Sequence, residues 1–196
     1  MRKKIFNFQD AENVVKLSFL LGNGQVVLIT SCDAKRQING IMTASWMTPT
    51  SHFPLLISIS VGNGREDSGN DNFRASYSLI YETNEFGLNL PSGELLETVA
   101  KIGTLHSNQV DKYKETGLTP MESRKISALL IEECFLNMEC KVIDQYVTGD
   151  HRVFVGEPVV VHMDEGVFVD GKFAAKYRSK SNQVHFGDVV DLWNMW

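Results

Sequence analysis

Phe135-Leu136-Asn137-Met138-Glu139-Cys140-Lys141-Val142 alternates apolar and polar side chains along its length. In an extended chain successive side chains point to opposite faces, so this pattern describes an antiparallel strand with one face in a core. On its C-terminal side, Arg152–Glu157 and Val159–Met163 read as a further pair of strands. Pro158 between them, lacking an N–H, marks a bulge or a sheet edge. On its N-terminal side, Phe86-Gly87-Leu88-Asn89-Leu90 stops at Pro91, Leu55–Val61 follows Pro54, and Gln25–Ser31 follows the turn-like Gly22-Asn23-Gly24. Two helices fit between the strands. One runs over Ser76–Glu82 with Ser76 as cap, and Ser92 caps a second with Leu95, Leu96, Val99 and Ile102 on one stripe. Many short strands and few helices predict a mainly β fold, an antiparallel β-barrel with α insertions, as one domain over residues 1–196.

Composition narrows the function. The chain has 196 residues, 43% hydrophobic and 22% charged, which suits a soluble globular domain with a sizeable core. A formal net charge of -5 disfavours a nucleic-acid binder, since neutralising phosphates needs a basic face. No apolar run approaches the roughly 20 residues of a membrane span. The basic Met1-Arg2-Lys3-Lys4 has no apolar stretch behind it, so no secretory signal is read and a cytoplasmic location is expected. Cys32, Cys134 and Cys140 lack CxxC spacing and form neither a disulfide framework nor a zinc knuckle. The five histidines are scattered without a metal-binding pair, so no metal is expected. There is no nucleophile elbow or Walker sequence, and Gly62-Asn63-Gly64 lacks the third glycine of a dinucleotide fingerprint. The stretch Gly62–Asn72 is polar, glycine-rich and aperiodic; it reads as an exposed loop, or as a lid over a site.

One segment carries more. Asn39-Gly40-Ile41-Met42-Thr43-Ala44-Ser45-Trp46 resembles the flavin-binding signature of the flavin-reductase-like FMN-binding split barrels, in particular their flavoredoxin branch. The resemblance continues in order through Arg74–Ser78, Asn84–Pro91, Val110–Tyr113, Gly117–Pro120, Glu133–Val142 and Gly149–Glu157. Asn39 stands one residue farther from Met42 than the family's asparagine, which puts Gly40 at the aligned position. The Gly62–Asn72 loop resembles an insertion beside the family's phosphate region.

These residues suit the parts of FMN. An isoalloxazine ring wants a flat apolar slot, for which Trp46 is the candidate wall; a core aromatic is the alternative. The ring edge needs hydrogen bonds, and the small residues Gly40, Thr43, Ala44 and Ser45 let backbone N–H groups approach. For the phosphate, Arg74 offers a fork, Ser76 a helix start and Lys112 a point charge, against the alternative of solvated surface charges. By resemblance Ser76 and Lys112 contact FMN, His151 lies near the ring, and Phe186 covers it from the C-terminal tail. Otherwise His151 reads as a turn histidine bonded to Asp150.

The resemblance implies a homodimer and an oxidoreductase that passes electrons through FMN. The donor would be NAD(P)H or a redox protein; the alternatives are an FMN electron carrier without nicotinamide activity and a flavin-binding protein without catalysis. No catalytic side chain is singled out.

Overall fold

The computed structural model describes residues 21, 24–33, 35, 38–63, 75–174, 183–186, 188 and 189. Its main feature is a seven-stranded antiparallel sheet. The strands are β1 (Val27–Asp33), β2 (Ile38–Ala44), β3 (Met47–His52), β4 (Leu55–Gly62), β5 (Glu85–Leu90), β8 (Leu136–Thr148) and β9 (His151–Met163), in the spatial order β2-β1-β5-β8-β9-β4-β3. Two small ribbons pair β6 (Pro120–Met121) with β7 (Leu130–Ile131) and β10 (Phe168–Val169) with β11 (Lys172–Phe173).

The two ends of this sheet are consecutive in sequence. Only Ser45 and Trp46 separate β2 from β3. Three Cα steps reach at most about 11 Å, whereas six strand spacings in a flat sheet would need about 29 Å. The sheet must therefore roll until its ends meet. The Ser60 N–H donates to the Trp46 carbonyl at 2.9 Å across that junction.

Alternation along β1 and β2 sorts their side chains into two cores. Val27, Ile29, Met42 and Ala44 join Ile57, Ile59, Phe86, Leu88, Cys140 and Phe154 inside the roll. Leu28 and Ile41 face outward instead, against Val99, Ala100 and Ile102 of a helix. This is why β1 is buried at every position, its polar Thr30, Ser31 and Asp33 included.

Three helices lie wholly within the described residues: α1 (Ala75–Thr83), α2 (Leu96–Thr104, entered through a 3-10 turn at Gly93–Leu95) and α3 (Lys112–Thr116). Ile80 of α1 reaches the inner core. The Ser92 side chain makes no capping bond, although its carbonyl accepts from Leu95 N–H at 3.0 Å. Ser76 is the second residue of α1, inside the helix rather than at its cap. Asp111 caps α3 by accepting from the N–H groups of Tyr113 and Lys114, and Gly117, with φ of 72°, ends it in the left-handed region.

The structure joins what the sequence divided. Arg152–Glu157 and Val159–Met163 belong to one strand, β9, and Pro158 sits at its irregularity. Glu139 pairs with Val160 and Cys140 with Pro158, leaving Val159 as the extra residue of a bulge. The pairing of β9 with β4 stops at Gly156, so neither neighbour asks Pro158 for an N–H.

Asn89 and Glu139 are buried polar side chains held by several hydrogen bonds each, whereas Ser31 Oγ, Gln25 Nε2 and His185 Nε2 are buried without one. Asn89 donates to the Leu28 carbonyl at 2.9 Å and accepts from Asn137 Nδ2 at 2.8 Å and Ile131 N–H at 3.2 Å. Glu139, fully buried, accepts from Arg124 N–H at 2.9 Å, Lys125 N–H at 2.6 Å and His162 Nε2 at 2.7 Å. Burial pushes its pKa up, and these donors more than reverse that, holding it below the usual carboxylate value. Among the described residues no helix is long and apolar enough to cross a membrane, and no cluster of side chains is arranged to hold a metal ion.

Candidate functional site

Strand β2 is the terminal strand of the sheet, so one side of its backbone pairs with β1 and the other is a free edge. Ser107 marks that edge. Its hydroxyl accepts from Ile41 N–H at 3.4 Å and donates to the Ile41 carbonyl at 3.5 Å. In antiparallel pairing, peptide groups two residues apart point the same way, so the backbone groups of Asn39 and Thr43 also face the free edge.

Three clefts follow one another along β2 and its continuation. The central one, about 320 Å³, is lined by Ile41, Met42 and Thr43 from β2, Ala75 and Ser76 from α1, and Ile102 and Gly103 from α2. Leu105, His106, Ser107, Asn108 and Lys112 complete it. A smaller polar cleft of about 230 Å³ lies toward Ile38 and Asn39 and shares Ser107 and Asn108 with the first. A wider one, about 580 Å³, lies toward Ser45 and Trp46, with Met47, Ile59, Tyr146 and Val153 among its walls.

The central cleft gathers groups suited to an anion. Lys112 is only 4% exposed, and its ammonium donates to the Ile102 carbonyl at 2.9 Å while lining the cleft. The alternative of a solvated surface lysine does not hold. Ser76 is also 4% exposed and stands in the first turn of a nine-residue helix, where backbone N–H groups have no intrahelical acceptor. A helix start, a hydroxyl and a sheltered ammonium form a donor set for a phosphate or carboxylate.

Gly40 keeps that geometry tight. A Cβ at this position would stand 2.7 Å from Ser31 Oγ, 3.0 Å from Leu79 Cδ1 and 3.6 Å from Ser76 Oγ. A larger residue would require Ser31 of β1 and Leu79 of α1 to shift, so glycine lets α1 lie this close to β2. Thr43, two residues past Ile41, donates its hydroxyl to the Val99 carbonyl of α2 at 2.9 Å. Met42 and Ala44 turn into the inner core, although Met42 also borders the cleft.

The remaining candidates lie farther along. Trp46 is 37% exposed, so it is no core aromatic; its ring stacks on His151 with centroids 4.7 Å apart and planes at 28°. His151 Nδ1 pairs with Asp150 at 2.8 Å, as its turn position suggested. Phe186 is placed elsewhere. Its N–H donates to the Gly24 carbonyl at 3.1 Å, and its ring packs in the outer core with Val26 and Val184. It lines none of these clefts, because the bridge of Gln25 to His185 ties the tail beside β1. Arg74, and the loop from residue 64 to 72, lie outside the described residues.

His106, Ser107 and Asn108 were not foreseen. They sit in a turn with no hydrophobic period, where the His106 carbonyl accepts from the N–H groups of Gln109 and Val110. The only sequence signal was their place shortly before Val110–Tyr113. The thiols are buried. Burial pushes Cys140 up to about 12 and raises Cys134 further, while Cys32 is raised by burial and by Asp33 and Glu85.

A rolled antiparallel sheet of this strand order, with a cleft along its terminal strand, is a split barrel. Residues 22–180 match the model of the flavin reductase like domain, and the chain belongs to that family. It is 38% identical over 139 residues to an uncharacterized protein of Archaeoglobus fulgidus, covering 70% of this chain and 72% of the relative. Among solved structures, component B of nitrilotriacetate monooxygenase from Bacillus cereus superposes with a TM-score of 0.76 at 20% identity, covering 94% of this chain and 95% of that one. Flavoredoxin of Desulfovibrio vulgaris gives 0.69 at 22% identity, with 91% and 85% covered. An FMN-binding protein from Thermus thermophilus gives 0.67 at 17%, with 94% and 93% covered. At these identities the structural likenesses speak for the fold alone.

Proposed function

We propose that the chain binds FMN along the free edge of β2 and serves as an oxidoreductase that passes electrons through it. The observation that carries this reading is the convergence of Ser76, Lys112 and the start of α1 on a cleft floored by the backbone edge of Ile41–Thr43. The donor set fits a phosphate, and the strand edge at Thr43, past the Ile41 groups that Ser107 holds, fits the polar rim of a flavin. That rim alternates acceptor, donor and acceptor, as a strand edge alternates N–H and C=O. Bound there, FMN would supply the acceptance of a hydride or of single electrons.

The chain's own groups do the rest. Lys112 and Ser76 hold the phosphate, with Arg74 assigned the same task by resemblance. Gly40 keeps α1 close enough for Ser76 to reach, and Thr43, fastened to Val99, fixes the strand edge. Asn39, Ala44 and Ser45 shape the approach on either side, and Trp46 with His151 borders the ring. A second copy covers the exposed apolar side chains Trp46 and Tyr146 at the wide cleft. NAD(P)H or a reduced redox protein is the donor.

Purified protein should be yellow or take up FMN, and anaerobic NADH or NADPH should bleach it at a catalytic rate. Bleaching only by a reduced redox protein would mark an electron carrier instead, and no flavin uptake would end the proposal. Light scattering should give twice the mass of one chain, and Tyr146→Glu should lower it.

A further inference from the structure

The two grips of the proposed flavin site stand on different elements. Ser76 belongs to α1, whereas His151, stacked on Trp46, opens β9. We infer that Arg152 is a positioning residue that fixes the distance between them, so that phosphate and ring are held by one frame; this rests on the flavin reading above. Successive side chains of a strand point to opposite faces. His151 accordingly turns to Trp46, and Arg152, one residue on, turns to α1. There its Nε donates to the Tyr77 hydroxyl at 3.1 Å, and Tyr77 directly follows Ser76 on the helix. Each grip is thus one residue away from an end of the same side-chain contact.

That contact is braced. Arg152 Nη1 donates to Gln145 Oε1 of β8 at 3.1 Å, and Gln145 Nε2 donates to Asn84 Oδ1, just past the end of α1, at 3.2 Å. The guanidinium carbon lies 4.8 Å from the centre of the Tyr81 ring and 5.8 Å from that of Tyr77. Those two rings, four residues apart on one helix, are parallel within 3° with centroids 6.1 Å apart. A planar cation with several N–H donors can bond to two acceptors in its plane while lying against an aromatic ring; a lysine ammonium lacks that fork. Gly40 sets the same helix against β2, so α1 is located from two directions. A ligand gripped at two points gains the full affinity only when both points are in register with it. Arg152 supplies that register.

The test uses the full chain, stripped of flavin, and three probes: FMN and riboflavin in fluorescence titrations, and inorganic phosphate as a competitor of FMN. Arg152→Met keeps an apolar stem beside the tyrosines and removes the fork. It should weaken FMN about tenfold, while riboflavin and phosphate, each needing one grip only, stay within about twofold. A residue that merely stabilised the fold would shift all three probes or none. Tyr77→Phe removes a single hydroxyl, keeps the question answerable should the methionine variant misfold, and should weaken FMN in the same selective way. The double variant should bind FMN no more weakly than Arg152→Met alone, since both changes break one contact. Phosphate lost along with FMN would make Arg152 a support of α1 only, and riboflavin lost along with FMN a support of the ring wall only. Either result overturns the inference, as does unchanged FMN affinity or strict additivity, and all of these leave the flavin reading intact. If the unaltered chain binds no flavin, both fall.

Discussion

Replacing Lys112 with methionine separates the phosphate from the rest of the flavin. Methionine keeps much of the length and apolar bulk of the side chain and removes the ammonium. In the free protein two effects oppose each other. The Ile102 carbonyl loses its 2.9 Å donor, which costs about 1–3 kcal/mol, while a buried ammonium no longer has to be kept from water. The unliganded variant should therefore melt within about 5 °C of the parent, since about 1 kcal/mol moves a domain of this size by 2–4 °C. In the complex nothing offsets the loss. A charge-assisted hydrogen bond to phosphate is worth about 1.5–3 kcal/mol, so FMN should bind about ten- to a hundredfold more weakly. Riboflavin, which has no phosphate, should bind within about twofold of its original affinity. Quenching of flavin fluorescence reads both ligands on the same sample, with circular dichroism as the control for folding. Raising the salt should weaken FMN in the parent more than in the variant, because the pair it screens is absent from the variant. A variant that melts normally and loses FMN and riboflavin equally, or loses neither, would refute the placement of the phosphate at Lys112.

Other substitutions probe the frame around the site. Glu139→Gln should cost about 2–3 kcal/mol at neutral pH in urea melts, because a carboxylate holding three donors is replaced by an amide that confronts one of them with its own N–H. Since the folded pKa of Glu139 lies below its unfolded value of about 4.3, its contribution is present above that pH and is lost as pH falls through the folded pKa. The gap between parent and variant should accordingly shrink below about pH 4; a gap constant with pH would count against the buried carboxylate. Gly40→Ala should destabilise by about 1–3 kcal/mol and weaken FMN, as α1 is pushed off β2. Ser31→Ala, which removes the nearest atom in that clash, should restore part of both in the double variant, and a strictly additive cycle would show that the two do not meet. Iodoacetamide near pH 8 should leave Cys134 and Cys140 unlabelled until urea is added, since both thiols are buried and raised; prompt labelling of the native chain would contradict their placement.

Much of this was legible in the sequence because the signals were local. The apolar runs at Leu55–Val61 and Phe86–Leu90 became β4 and β5, and the alternating stretch at Phe135 became the first half of β8. What escaped depended on neighbours. Met47-Thr48-Pro49-Thr50-Ser51-His52 is too polar to announce a strand, yet it forms β3, an end strand that pairs only with β4 and so need not be apolar. Pro158 suggested two strands because a proline breaks a ladder, but a bulge on one side and the end of pairing on the other let one strand run through it. A lone lysine reads as a solvated charge; Lys112 is sheltered only because α2 ends above it. Phe186 was expected over the ring by resemblance alone, and an aromatic side chain is equally accommodated by the outer core where it packs.

The arrangement ties binding to folding through a single strand. Every second residue of β2 serves a different layer: Met42 and Ala44 fill the inner core, while Ile41 and Thr43 engage the helix outside and the cleft. A shift of one residue in register would send Met42 and Ala44 outward and carry Ile41 and Thr43 into the core. The backbone edge that faces the cleft is therefore held by the same burial that stabilises the roll, and the loop carrying Ser107 needs only to cover what the sheet leaves open. Rigidity at the floor and variability at the rim follow from that division. On the proposed reading, substitutions at His106 should retune what binds at little cost to the core, whereas any change of size at Gly40 or Met42 must be met by both.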